Sequence, residues 1–155
     1  MSEHPVTVVL EPIGTVRNGE HNAGRRDWSQ LESRIELRAG LATALLGLAD
    51  YSHVVVIGWL DRIPDVLRER ARAYPDGNEL LPLQGALALR GGARPNPIAF
   101  TVCELRSVDE AASPGGAIIV RGLDLVDGTS VLDVKPYLAF YDAIPDATLP
   151  HWADG

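Results

Sequence analysis

Residues 122–137 read Gly-Leu-Asp-Leu-Val-Asp-Gly-Thr-Ser-Val-Leu-Asp-Val-Lys-Pro-Tyr, and set Asp124, Asp127 and Asp133 within ten residues of one another, beside Lys135 and Tyr137. Lys135 is the only lysine in the chain. The apolar residues between the acids alternate as in a strand, so charge is concentrated on a segment that otherwise favours burial. Asp127-Gly128-Thr129, between Leu125-Val126 and Val131-Leu132, has the chemistry of a tight turn, because Asp-Gly supplies the positive-φ position such turns need. A hairpin there would hold Asp124 and Asp133 near one another across the ladder. Like charges that close and half-buried need a cationic partner or ligand. Lys135 is the local cation and Arg94 a distant candidate. The same residues also fit an ordinary hairpin turn, a strand-edge charge and a strand exit, and spacing alone leaves both readings open.

A second candidate is Arg90-Gly91-Gly92-Ala93-Arg94-Pro95-Asn96-Pro97-Ile98. Each proline fixes its own φ and pushes the preceding residue out of helix, which holds Arg94 and Asn96 extended. An arginine fork beside an amide, stiffened in advance, suits a carboxylate and a base edge at little entropic cost. A third is the stretch 18–29, which has no hydrophobic period and carries Arg25, Arg26 and Trp28. A long loop in a compact domain is commonly functional or mobile, and Trp28 fits either a lid over the core or a stacking platform.

The chain that must position these groups has 155 residues, 46% of them hydrophobic, enough for one domain, 1–155, with a real core. Its formal net charge of -7 argues against a broad basic face for nucleic acid, though it leaves room for a local patch. Five arginines (Arg17, Arg25, Arg26, Arg34, Arg38) lie in the first quarter, whereas Lys135 is the sole cation beyond Arg121. An acidic C-terminal third facing a more basic remainder suits a subunit contact or a cationic ligand. One cysteine, Cys103, excludes an internal disulfide and a cysteine-built zinc site, and the four histidines, His4, His21, His53 and His151, are too scattered for a metal pair. No apolar run is long enough to span a membrane, and the first residues lack the pattern of a signal peptide, so a cytoplasmic protein is expected.

Period-two patterning and β-branched runs predict strands at 6–10, 13–16, 34–37, 54–60, 85–89, 98–105 and 117–120. Residues 54–60 should be the central strand, closed by the opposite charges of Asp61 and Arg62. Apolar spacing predicts helices over 41–48 and, beginning with Pro64, over 64–73; the tail over 142–155 is expected to be irregular. Short strands, many turn signals and only two helices imply a mainly β fold, a β-barrel with a few short helices. The absence of β-α-β alternation, of G-x-G-x-x-G after a strand and of a P-loop removes the Rossmann reading.

Arg94-Pro95-Asn96-Pro97-Ile98, the stretch 122–129 and Val131-Leu132-Asp133-Val134-Lys135-Pro136-Tyr137 together closely resemble the signature of the TsaA-like or TrmO family. Pro12-Ile13-Gly14-Thr15-Val16-Arg17 and Tyr51-Ser52-His53 are similar too. The resemblance implies an S-adenosylmethionine-dependent methyltransferase on a β-barrel, binding its cofactor as a homodimer, with tRNA threonylcarbamoyl-adenosine beside the anticodon as methyl acceptor. It places Arg90, Arg94, Asn96, Leu123, Asp124, Lys135 and Tyr137 at or behind the cofactor. It leaves Asp127 or Asp133 as the base for an acceptor nitrogen that must lose its proton, and Arg25, Arg26 and Trp28 on the acceptor side, with Arg68, Arg70 and Arg72 as further phosphate contacts. The sequence departs from the family over 85–91, where an aromatic is lost, and at Ala93, Ala99 and Ser130. Trimmed side chains there fit a second reading, a methyltransferase for a small-molecule acceptor, and a third is a binding module without turnover.

Overall fold

The structure, a computed structural model, describes residues 6–153. His4 and the last two residues of the predicted tail lie outside them. Six strands close a barrel: β1 (Gly14–Arg17), β2 (Glu32–Leu37), β3 (His53–Trp59), β6 (Ile98–Asp109), β7 (Ala117–Arg121) and β8 (Ser130–Pro136), neighbouring in the order β1-β2-β7-β6-β3-β8. Every pairing is antiparallel. A separate two-stranded ribbon joins β4 (Arg72–Ala73) to β5 (Gln84–Gly85). The expectation of a mainly β barrel with short helices holds.

The alternation seen in the sequence is what closes the barrel around a core. On β2, Ser33, Ile35 and Leu37 point inward, while Arg34 and Glu36 between them pair outside at 3.7 Å. On β3, Val54 and Val56 are wholly buried opposite Cys103 and Thr101 of β6. This strand is central, with β6 on one side and β8 on the other. Leu123 and Leu125, from the segment after β7, plug one end of the barrel and are almost fully buried. Each such leucine contributes roughly 1.5–3 kcal/mol of burial. Gly58 makes room for that plug, since a Cβ there would come within 2.9 Å of the Leu125 side chain.

Local propensity was overruled at several elements. Residues 6–10 form no strand: the barrel is closed between β1 and β8, so no free edge remains to accept them, and Val6, Val8 and Val9 are exposed. Over 41–48 the helical spacing yields only two 3₁₀ turns, Ala42–Leu45 and Leu48–Asp50, because Gly40 and Gly47 at φ 90° and 86° break the chain on either side of the first. The helix expected over 64–73 is a single turn, α1 (Asp65–Arg68), followed by β4. Its Val66 is exposed and finds no apolar surface, and packing rather than propensity sustains short helices. The strand expected over 85–89 shrinks to β5 and a 3₁₀ turn, Ala86–Ala88. After β8 come the one-turn α2 (Ala139–Asp142) and a 3₁₀ turn, His151–Ala153, in an otherwise irregular tail. Among the described residues no helix is long and apolar enough to cross a membrane.

The largest correction concerns 122–137. Leu125-Val126 is not a strand and there is no hairpin: β7 pairs with β2 and β6, whereas β8 pairs with β1 and β3. The segment between them crosses the end of the barrel, and the Asp127-Gly128 turn delivers the chain to β8 from there. Asp124 and Asp133 are therefore not ladder partners. Leu132 is an extra residue in β8, since Gly58 faces Val131 and Ile57 faces Asp133.

Candidate functional site

The crossing segment is held down by a clasp from the loop after β1. The Asn18 side chain donates to Ser33 Oγ and to the Leu125 carbonyl, both at 2.9 Å, and its Oδ1 accepts from the Glu20 amide, also at 2.9 Å. In return Asp127 Oδ1 accepts from the backbone amides of Asn18 at 2.8 Å and Gly19 at 3.1 Å, and Arg17 lies 3.7 Å from Oδ2. The two amides above all, and Arg17 after them, hold the Asp127 carboxyl below its ordinary range. Asp127 is thus an anionic clamp, and a carboxylate bound in this way is poorly disposed to take a proton.

Under this clasp lies a cleft of about 900 Å³, lined by 23–26, Trp28, 60–63, Asp76, 91–92, Asp124 and 126–129. Its size falls within the range of small-molecule sites. Asp124 accepts a hydrogen bond from Thr101 Oγ1 at 2.5 Å. Behind it the Cys103 thiol is pushed up to about 12 by burial and then by the charge of Asp124, so it is no nucleophile. Asp61 and Arg62 do not pair with each other as expected. Asp61 accepts from the Ser130 amide at 2.9 Å and hydroxyl at 3.1 Å, while Arg62 donates to the carbonyls of His21 at 3.2 Å and Asp127 at 3.5 Å. Both therefore draw loops onto the rim.

Of the residues singled out in the sequence, Arg25, Arg26, Trp28, Asp124 and Asp127 converge on this cleft. Arg25 lies over the Trp28 ring at 5.8 Å and Trp28 Nε1 donates to the Arg25 carbonyl at 2.7 Å, which sets the indole plane. Leu123 sits behind the cleft as core rather than as a contact. Asp133, Lys135 and Tyr137 are not in its lining. Asp133 and Lys135 pair at 3.1 Å, and Tyr137 packs edge-on to His53 with ring centres 6.3 Å apart. The proline-rich loop reaches the cleft only through Gly91 and Gly92. Arg94 does not approach the aspartates as a distant cation; it donates to the carbonyls of Leu89 at 2.8 Å and Gly91 at 3.3 Å and so shapes its own loop. Asn96 Oδ1 accepts from Arg68 at 3.2 Å, and Arg90 lies over Phe100.

Sequence reasoning passed over Asn18, the 60–63 turn and Asp76 as parts of one site. The available signals were the Asp61-Arg62 pair at a strand end and the Asp76-Gly77 turn, and neither reveals which loops meet.

A family model described as the tRNA-methyltransferase O N-terminal domain matches residues 21–143. The chain belongs to this family, the TrmO N-terminal domain. The match takes in every residue of the cleft lining, while Asn18 of the clasp lies just before it. A probable S-adenosyl-L-methionine-binding protein of Methanothermobacter thermautotrophicus is 35% identical over 142 residues, covering 90% of this chain and 92% of its own. The tRNA (adenine(37)-N6)-methyltransferase of Escherichia coli is 36% identical over 118 residues, 69% of this chain and 45% of its own. A crystal structure of TrmO from Pseudomonas aeruginosa superposes with a TM-score of 0.72 at 28% identity, covering 97% of this chain and 64% of that one. The TrmO domain seen here thus spans less than half of the E. coli enzyme and just under two thirds of the Pseudomonas chain.

Proposed function

We propose that this TrmO domain is an S-adenosylmethionine-dependent methyltransferase, working in the cytoplasm and transferring the methyl group to a nitrogen of threonylcarbamoyl-adenosine in the anticodon loop of tRNA. One observation carries the reading: the family's aspartate-rich segment forms the wall of the cleft at the barrel end, with Asp124 exposed to it. The cofactor presents a sulfonium cation, a ribose diol and an amino acid end, which suit this mixture of carboxylates and arginines. When bound, the cofactor supplies an electrophilic methyl carbon. The protein's part is positional: Trp28, set by Arg25, offers a face for a base, and the clasp of Asn18 and Asp127 holds the wall against which a ligand rests. Positioning of this kind accounts for a large share of rate in displacement reactions.

The homodimer belongs to the same reading. Ile98, Phe100 and Val102 of β6 form a half-exposed apolar row on the outer wall, with β3 between it and the Asp133–Lys135 pair of β8, and an apolar patch of this composition suits a twofold contact. Arg90, Arg94, Asn96, Lys135 and Tyr137 then act from or beside that contact. A second reading, a small-molecule acceptor, draws on the cleft's charge: Asp61, Asp76, Asp124 and Asp127 outnumber Arg25, Arg26 and Arg62. Methyl-labelled cofactor supplied with undermethylated total tRNA, and separately with a small-metabolite extract, decides between them. Label in tRNA is expected; label confined to small molecules refutes the tRNA assignment.

A further inference from the structure

Seven charged side chains line the cleft, and most are already committed. Asp61 is bound through both oxygens to Ser130, Asp124 gives Oδ1 to Thr101 and keeps Oδ2 for the cofactor-facing wall, and Asp127 closes the clasp. Arg25 donates to the Asp27 carbonyl at 2.6 Å and lies 3.6 Å from Glu20, and Arg62 is spent on two carbonyls. Two remain. Asp76 and Arg26 make no side-chain hydrogen bond and no ion pair among the described residues, with each other or with any neighbour, and both are exposed to the cleft.

The setting of Asp76 adds an independent observation. It is the one non-glycine residue at positive φ among those described, at φ 50° and ψ 25°. Its turn is fixed by a buried Pro75 and by two backbone bonds, Gly77 amide to Tyr74 carbonyl at 3.0 Å and Asn78 amide to Pro75 carbonyl at 2.9 Å. Aspartate often enters this conformation because its carboxylate bonds locally, yet here the carboxylate makes no such bond among the described residues and the residue lines the cleft. A turn pinned by these bonds, with an exposed and unpartnered carboxylate on the lining of a cavity, has an acceptor to offer a ligand.

We propose that Asp76 and Arg26 read the methyl acceptor from two different loops. Asp76 accepts a hydrogen bond from an N–H or O–H group of the acceptor nucleoside, and Arg26 meets an anionic group on it, a carboxylate or a phosphate. The inference rests on the methyltransferase reading and assigns the specificity of the same cleft. It assigns these two side chains to the acceptor and leaves the cofactor to Asp124 and the clasped wall.

The test uses Asp76→Asn and Arg26→Ala. Asparagine tolerates positive φ, so the first variant removes the charge without straining the turn; an unchanged melting temperature verifies this, and Asp76→Gly serves as a second variant that also accepts the positive φ. Each variant is expected to raise KM for undermethylated tRNA by about tenfold to a hundredfold, the usual loss for a hydrogen bond to a charged group, with cofactor affinity unchanged by calorimetry. Free threonylcarbamoyl-adenosine, which carries a carboxylate and no phosphate, is then run as substrate and as competitor of tRNA. If the Arg26→Ala effect persists there, the anion is the carboxylate; if it vanishes, the anion is a phosphate. An unchanged KM for tRNA in either variant, or tighter tRNA binding by Asp76→Asn, overturns the proposal. Wild-type protein that binds cofactor and methylates nothing removes the parent reading as well, a failure visible without any variant.

Discussion

Replacing Asn18 by alanine should do more damage than its place in a surface loop suggests. The substitution deletes two donated bonds, to Ser33 Oγ and the Leu125 carbonyl, and one accepted bond, from the Glu20 amide, all at 2.9 Å. At about 1 kcal/mol net for each, the loss is about 3 kcal/mol. Ser33 is 1% exposed, so its hydroxyl cannot turn to water for compensation. For a chain of this length the melting temperature should fall by roughly 6–12 °C. Thermal unfolding followed by circular dichroism measures this directly, and calorimetry with S-adenosylmethionine measures the second consequence, weaker binding as the 122–129 wall loosens. Asn18→Asp should be worse than alanine, because the oxygen that replaces Nδ2 repels the Leu125 carbonyl and sets a second carboxylate beside Asp127, with only the Ser33 hydroxyl able to turn and donate to it. Asn18→Ala combined with Asp127→Asn should cost less than the sum of the two, since both break one clasp. A melting temperature within about 2 °C of wild type for Asn18→Ala would refute the clasp.

Three further outcomes follow from the packing. Leu123→Ala opens a cavity beneath the cleft and should cost about 2–5 kcal/mol in urea unfolding, with cofactor affinity lost in the same variant. Cys103, with its thiol near 12, should resist iodoacetamide at pH 8 in the folded protein and react once urea unfolds it; rapid labelling without denaturant contradicts its burial. The folded-state pKa of Asp127 is depressed, so its contribution to stability is complete above the unfolded value near 3.8 and is lost as pH falls through the lower folded value. Asp127→Asn should therefore flatten the acid-side decline of melting temperature below about pH 4, while an unaltered decline assigns that loss to other carboxylates.

The barrel was legible in the sequence because its strands announce themselves by alternation or apolar runs: 34–37, 54–60 and 117–120 have one buried face or two. The identity of the pairings was not legible. Asp127-Gly128 has the chemistry of a hairpin turn, and only closure of the barrel, which seats β8 between β1 and β3, shows that the turn ends a crossing segment instead. Spacing likewise grouped Asp124 with Asp133, although Asp124 lies on the crossing segment that lines the cleft and Asp133 lies within β8 opposite Ile57. In the proline-rich loop the arginine is consumed internally by the Leu89 and Gly91 carbonyls, a choice no local rule dictates. Asn18 and Asp76 lay hidden for a related reason: their partners or their freedom depend on contacts more than a hundred residues away or on a cleft built by five separate segments.

The central claim is that the clasped cleft at the barrel end holds S-adenosylmethionine. Isothermal titration of the cofactor into folded wild-type protein, with Asp124→Asn alongside, addresses it most directly. Saturable binding by the wild type that weakens at least tenfold in the variant is the expected result, as for a lost hydrogen bond to a charged group. Saturable binding that Asp124→Asn leaves unchanged, or no heat from well-folded wild type, contradicts the account.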